Sequence, residues 1–478
     1  MTTLQSYFDG ANFFRLWKSQ LALFTGLCLF MQLAAQQANW FIGALVALPF
    51  IFIATQSATR HYLEVRATDA KFLAEIFFVG LVVRLIVVFL FSYLLQTFNP
   101  DGLAFVSTHD DYKYQQTMTQ IYDYWEEYGI GSSVTSDIQF SSGQYAGFPY
   151  FGVFMMLIFG QNIYAARIGN AILSALTLIV INRLCSCFMS RDRAIFTTCL
   201  FAFAPPVIIY SACTFKDTLL LFLFTVNLLC VVRLYLKKRW RNLSIAFLLI
   251  SSSGMIFCRP ALIFLCFSSY LLFSGYQMIL KKKPSFMIFL NVAAFIVVVL
   301  VWNYFYRQGW TTEYVDFIDA NIAARERLVS ETRAGVSQYS FAKLLGAPIF
   351  VAFSPFLPPY SMLDFNKEES INYDFLIGFF YFTLLPFVIV GIFEAIRRRK
   401  TEPVPFLLLI VALVYKVAQA KSTLSVFSIR QSLPATAVLL LFAPYGWERL
   451  KHSRGLLLTV NVVSIALLAA YNFFRLLY

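Results

Sequence analysis

Long apolar runs alternate with short polar breaks along most of this chain. Several of the runs are rich in Leu, Ile, Val and Phe and long enough to cross a bilayer as a helix. With their polar flanks they predict spans at about 18–35, 39–57, 73–97, 163–188, 194–211, 217–236, 242–257, 260–280, 285–305, 373–396, 403–420, 424–448 and 455–477. The short run 242–257 can also form a broken hairpin with 260–280. Residues 147–160, G-F-P-Y-F-G-V-F-M-M-L-I-F-G, are apolar but short for a crossing. They predict an interfacial or re-entrant element. No alternating pattern of about ten residues suggests a β-barrel. The expected fold is an all-α polytopic membrane protein of about thirteen transmembrane helices.

Two long polar stretches interrupt this pattern, 99–146 and 306–372. Basic clusters set their side of the membrane. Arg191 and Arg193, Lys237–Arg241, Lys281–Lys283, Arg397–Lys400, and Arg449, Lys451 and Arg454 alternate with breaks poor in clustered cations. Placing every cluster in the cytoplasm puts the N-terminus inside, the C-terminus outside and both long stretches on the extracytoplasmic face. In the second stretch, Tyr314, Phe317, Ile318, Asn321, Ile322, Arg325 and Leu328 fall at helical spacing, which predicts an amphipathic helix over Glu313–Arg333 lying on the membrane. The expected organisation is one membrane domain over residues 1–478. Within it, 1–72 adds an N-terminal helical hairpin, 99–162 forms a first outer loop and 306–372 a second.

Composition agrees. The chain is 59% hydrophobic and 13% charged, against roughly 25% charged in soluble domains. The net charge of +13 would suggest nucleic acid in a soluble protein, but the cations here sit in clusters between spans and no nucleic-acid motif accompanies them. The eight cysteines fall in or at the ends of apolar runs and read as small apolar residues, not as a disulfide framework. The first apolar run leads into further spans rather than a cleavage site, so it reads as a span and not as a signal peptide.

Candidate chemistry centres on Asp110 and Asp111, in the stretch S-T-H-D-D-Y-K-Y shortly after the span at 73–97. Adjacent carboxylates hold one proton more tightly than a lone Asp, which is one way to make a general base. The plainer reading is a solvated acidic loop with an Asp capping a helix that opens at Tyr112. His109, Asp110 and Asp111 together could hold a divalent metal, although a loop His is more often only solvated. No other cofactor is indicated. Cations also fall at the outer mouths of spans: Lys216 beside Asp217, Arg259 before Pro260, and Lys421 and Arg430 around the start of 424–448. Each alone reads as a snorkelled anchor; together they could surround an anion such as a lipid phosphate. Arg167 opens the span at 163–188, where it can anchor the helix or pair with a loop acid.

These pieces resemble the GT-C membrane glycosyltransferases that use polyprenyl-phosphate sugars, above all the protein O-mannosyltransferases and the lipid A aminoarabinose transferases. Asp110-Asp111-x-x-Tyr114 is similar to their acidic first-loop motif. The run from Phe159-Gly160-Gln161-Asn162 through Ala165-Ala166-Arg167 to Asn170-Ala171 resembles their F-G-x-N-x-x-A-A-R-x-x-n/s-A entry into a core span, and is the most specific piece. Ala204-Pro205-Pro206, then Lys216-Asp217-x-Leu219, is similar to an outer turn before a later core span, and Arg430-Gln431-Ser432-Leu433-Pro434 to a late R-[YH]-x-L-P motif. The resemblance covers residues 73–240 and, less closely, 420–445; the first two spans have no counterpart. Where many relatives carry Lys-Pro-Pro in the first loop, this chain has Gly147-Phe148-Pro149-Tyr150. Phosphate contact must then come from elsewhere, such as Lys216, Arg259 or Arg430. The second acid is Asp111 rather than Glu.

The resemblance implies sugar transfer at the extracytoplasmic face of the cell membrane, from a polyprenyl-phosphate donor to a hydroxyl of a protein, glycolipid or glycan, with inversion at the anomeric carbon. Asp110 or Asp111 is the implied base, with Tyr114, Lys216, Arg259, Arg430 and Arg325 around the lipid phosphate or acceptor. Two other classes stay open. A polysaccharide polymerase or ligase would use a lipid-linked oligosaccharide and rely on Arg325, Arg327 and Arg333 of the second loop. A transporter of lipid-linked sugar would show midplane charges and repeat symmetry, neither of which is evident.

Overall fold

The computed structural model describes residues 39–64, 69–98, 110–132, 134, 146–236, 241–259, 266, 269–276, 356–357, 373–422, 432–451 and 453–477. Among the described residues the chain is helical, with no strand. In order the helices are α1 (Asn39–Glu64), α2 (Asp69–Phe98), α3 (Asp110–Tyr128), α4 (Gly147–Phe159), α5 (Ile163–Cys185), α6 (Arg191–Phe203), α7 (Pro205–Ser211), α8 (Asp217–Tyr235), α9 (Arg241–Cys258), α10 (Tyr373–Arg397), α11 (Pro403–Ser422), α12 (Leu433–Leu440), α13 (Ala443–Leu450) and α14 (Arg454–Leu477). By length and composition, Asp69–Tyr93, Ile163–Cys185, Asp217–Tyr235 and Leu376–Arg397 can each cross a membrane, and α6 with α7 makes a further, bent span. The all-α polytopic fold is therefore as expected. The predicted spans at 18–35 and 285–305 and, apart from residues 356–357, the second outer loop lie outside the described residues, as does most of 260–280.

Two expected spans are broken. The run 194–211 bends by 47° between α6 and α7. Ala204 precedes Pro205 and takes an extended conformation, φ −66° and ψ 119°, because the proline ring excludes the α region from the residue before it. Carbonyls freed at such a break need partners in an apolar setting. Arg84 of α2 supplies them, donating to the carbonyls of Ala202 at 3.2 Å and Phe201 at 3.4 Å and to Ser174 Oγ at 2.6 Å. Within the run 424–448, the described part forms α12 and α13 with a turn at Leu441 and Phe442, and α13 carries Pro444 near its start.

Helix α5 lies at the centre, with α2, α4, α6, α7 and α8 packed around it. Its buried side chains include Ala165, Ala166, Arg167, Asn170, Ser174 and Leu178. The tightest approach is between α10 and α13. A Cβ on Gly391 would stand 2.0 Å from the Phe442 carbonyl oxygen, and one on Gly446 1.8 Å from that of Phe387. At the same end Arg193 pairs with Glu448, Arg191 with Asp69 at 3.2 Å, and Glu394 with Arg397 and Arg398. The N-termini of α5 and α8 lie at the opposite end, where α3 and α4 cover the bundle.

Candidate active site

The cover is built by interlocking small and flexible residues. Met118 of α3 sits against Gly152 of α4, and Met155 of α4 against Gly169 of α5; a Cβ on either glycine would fall within 2.5 Å of the methionine side chain. Trp125 stacks on Tyr150 at 5.7 Å, and burial raises the Tyr150 phenol, which stays neutral. The turn from α4 into α5 uses Gly160 at φ +85°, a conformation open to glycine at little cost. Asn162 ties the two helices together. Its Oδ1 accepts from the Tyr164 and Ala165 amides at 2.9 and 3.0 Å, and its Nδ2 donates to the Phe159 and Gly160 carbonyls at 2.9 and 3.2 Å. Gln161 reaches Asp123 on the exposed side of α3 at 2.6 Å.

Beneath this cover lies a buried polar clamp. Arg167 and Asp111 are both fully buried and paired at 2.8 Å. The other oxygen of Asp111 accepts the Thr214 amide at 2.6 Å. Arg167 also donates to Ser92 Oγ of α2 at 2.8 Å and, weakly, to Thr214 Oγ1 at 3.4 Å. One turn further along α5, Asn170 donates to the carbonyls of Cys213 and Phe215 at 2.8 and 3.0 Å. Arg167 and Asn170 thus hold the 212–216 turn between α7 and α8, and that turn with Arg167 holds the first turn of α3. A buried charge needs such a full set of partners. Helix α3 begins at Asp110, so Asp111 is its second residue and not a cap before Tyr112.

The other candidates gather around the same turn. Lys216 lies over the Tyr114 ring, 5.9 Å from its centroid, and Tyr114 meets the edge of Phe148 at 5.1 Å. Lys216 is also close enough for its charge to act on Cys258, the residue before Arg259. Arg259 and Asp217 both lie within electrostatic reach of Tyr415 on α11. The ends of α3, α8 and α9 therefore carry Asp111, Tyr114, Lys216 and Arg259 to one mouth of the bundle. A model of the dolichyl-phosphate-mannose-protein mannosyltransferase family matches residues 146–302. That stretch contains the Asn162, Arg167 and Asn170 clamp together with Lys216 and Arg259. The chain is a membrane glycosyltransferase of the GT-C type. No curated protein and no solved structure matches it.

The transferase's acidic pair lies outside the matched stretch. Arg325 and Arg430, and with them Arg327, Arg333 and His109, lie outside the described residues, and for Lys421 the structure gives the backbone near the end of α11. For Asp110 the structure gives the backbone at the start of α3. Among the described residues no group of three His, Cys, Asp or Glu side chains could hold a metal, and the Asp111 carboxylate already faces a guanidinium and an amide N–H. Two buried cations of the transferase are passed over when hydropathy is averaged along a run, Arg84 and Lys416. Their signal is an ionisable residue inside an apolar span, which is rare without a reason.

Proposed function

We propose that this transferase moves a sugar from a polyprenyl-phosphate donor to an acceptor hydroxyl at the extracytoplasmic face, by one inverting displacement with Asp110 as general base. The acceptor oxygen attacks the anomeric carbon as the bond from that carbon to the phosphate oxygen breaks. Asp110 takes the hydroxyl proton, and the lipid phosphate leaves with the electron pair. It leaves already charged, so no general acid is required, and cations at the mouth stabilise the charge it gains. Lys216 and Arg259 are the candidates among the described residues, and Arg430 and Arg325 remain candidates beyond them.

The observation that carries this reading is the engagement of Asp111. Both of its oxygens are taken up, by Arg167 at 2.8 Å and by the Thr214 amide at 2.6 Å. A carboxylate held so by the interior on both oxygens is a good anchor for its neighbour. The assignment of base therefore falls on Asp110. The matched family is one of dolichyl-phosphate-mannose enzymes, which supports a lipid monophosphate sugar as donor. The gathering of Arg191, Arg193, Arg397 and Arg398 at the end opposite the mouth supports an extracytoplasmic site.

The test is turnover of a panel of polyprenyl-phosphate sugars by the purified protein with membrane-derived acceptors. Asp110→Asn should melt like wild type and lose about 10²- to 10⁴-fold in turnover, the usual worth of a general base. An active Asp110→Asn variant would remove the base. A wild-type protein that ignores every monophosphate sugar, yet consumes a lipid-linked oligosaccharide, would favour the polymerase or ligase.

A further inference from the structure

Helix α11 carries an ionisable residue that the site described above does not use. Lys416 is buried, with a relative exposure of 3%. Its Nζ has no hydrogen-bond partner among the described residues. An ammonium buried without an acceptor is costly, so a protein keeps one where something anionic joins it or where its charge is used.

Its position says which anion. Lys416 is six residues from Ser422, the last residue of α11, or about 9 Å at the helical rise per residue. That end of α11 is the mouth end. The adjacent Tyr415 packs against Phe224 of α8 at 5.9 Å, and Arg259 and Asp217 act on it electrostatically. The face of α11 that carries Tyr415 and Lys416 also carries Leu408, Val411 and Ala412, all buried, whereas Leu413 and Val414 are exposed. Lys416 therefore belongs to the bundle interior, one to two turns below the mouth, and not to the lipid-facing side. A free ion would be stripped of water to reach it. A phosphate carried by a prenyl tail already resides at the edge of the apolar layer, and the flexible four-carbon stem of a lysine lets the ammonium meet it there.

We propose that Lys416 binds the phosphate of the lipid-linked donor from inside the bundle. The proposal rests on the lipid-monophosphate reading of the donor. Lys216 and Arg259 would meet the same group from the mouth.

The experiment is thermal melting of the detergent-solubilised full chain, titrated with polyprenyl monophosphate, the matching polyprenol or inorganic phosphate. Wild type should be stabilised by the lipid phosphate in a saturable way and little by the other two. Lys416→Met removes a buried ammonium that has no partner among the described residues, so without ligand it should melt at or above the wild-type temperature. Its half-saturation by polyprenyl monophosphate should rise by about tenfold or more, as for loss of one charge-assisted contact. Lys416→Gln should behave alike, and Asp110→Asn should bind as wild type does. A Lys416→Met titration that matches wild type would overturn the proposal while leaving the donor reading intact. So would a marked drop in its ligand-free melting temperature, which would reveal a structural ion pair. An equal wild-type response to inorganic phosphate would make the ligand a free anion. An equal response to polyprenol would remove the donor reading itself.

Discussion

Breaking the Arg167–Asp111 pair tests whether Asp111 is an anchor or a reactant. Both side chains are fully buried and meet at 2.8 Å, so Arg167→Met leaves a carboxylate in the interior with only the Thr214 amide. Removing one partner of a buried pair costs about 3–5 kcal/mol. At about 1.4 kcal/mol per factor of ten, that lowers the ratio of seated to unseated α3 by about 10²- to 4 × 10³-fold. Asp111→Leu should be comparably harmful, since it strands the guanidinium. The double variant Arg167→Met with Asp111→Leu replaces the pair by apolar groups, and such replacements are often neutral or stabilising. Its melting temperature should return towards wild type, which gives a coupling energy of several kcal/mol. Hydrogen exchange of the 110–128 amides reports seating directly: fast in each single variant, slow again in the double.

Turnover in the same three proteins separates the roles. If Asp111 only anchors α3, the double variant should transfer sugar well above the rate of either single variant. A double variant that is stable, protected over 110–128 and yet inactive would refute the anchor and make Asp111 the base. Singles that melt and exchange like wild type would refute the clamp altogether.

Three further outcomes follow from other parts of the structure. Lys216→Ala and Arg259→Ala should each weaken use of the lipid donor by about 1–3 kcal/mol, the usual range for a hydrogen bond to a charged group, measured as kcat/KM at matched expression; wild-type values in both would move the phosphate elsewhere. Gly446→Ala would put a methyl group 1.8 Å from the Phe387 carbonyl oxygen, so α10 and α13 must separate. The expected loss is about 1–3 kcal/mol, as for overpacking, read as a lower melting temperature. A cysteine at the exposed position of Gln120 should react with an impermeant reagent added outside intact cells, and one at Arg239 should not. Labelling at Arg239 alone would invert the topology and with it the proposed site.

Much of the fold was legible because spans announce themselves. The expected limits 73–97, 163–188 and 217–236 differ from α2, α5 and α8 by a few residues. Breaks inside spans were harder. Pro205, Pro206, Pro434 and Pro444 are plain in the sequence, but the runs around them stay apolar, and hydropathy does not record a bend. Whether a proline breaks a span depends on a donor elsewhere, here Arg84, that can satisfy the freed carbonyls. The site divided in the same way. The F-G-x-N-x-x-A-A-R-x-x-N run was visible, and its motif positions each do something local. Gly160 makes the turn, Asn162 caps the helix, the alanines allow close packing, and Arg167 and Asn170 form the clamp. The partner of Arg167 was not visible, since Asp111 lies 56 residues before it. From sequence alone Arg167 could equally have anchored the helix.

On the proposed assignment of Asp110 as base, the clamp gives its neighbour Asp111 a role of its own. A base on a long outer loop would be mobile, and a displacement of about 1 Å can cost 10²-fold in rate. The neighbouring Asp111 removes that freedom. It is fixed at once to α5 through Arg167, to α2 through the Ser92 contact of that arginine, and to the 212–216 turn through Thr214. The turn in turn carries Lys216, a candidate for the leaving phosphate. With Asp110 as the proposed base and Lys216 as a proposed phosphate contact, both are referred to the same few buried atoms, and the distance between base and leaving group would be set by the rigid interior. On this argument the costly part of the site, a fully buried ion pair, lies one residue away from the chemistry. Its worth should appear mainly in kcat, with little change in the affinity for the lipid donor.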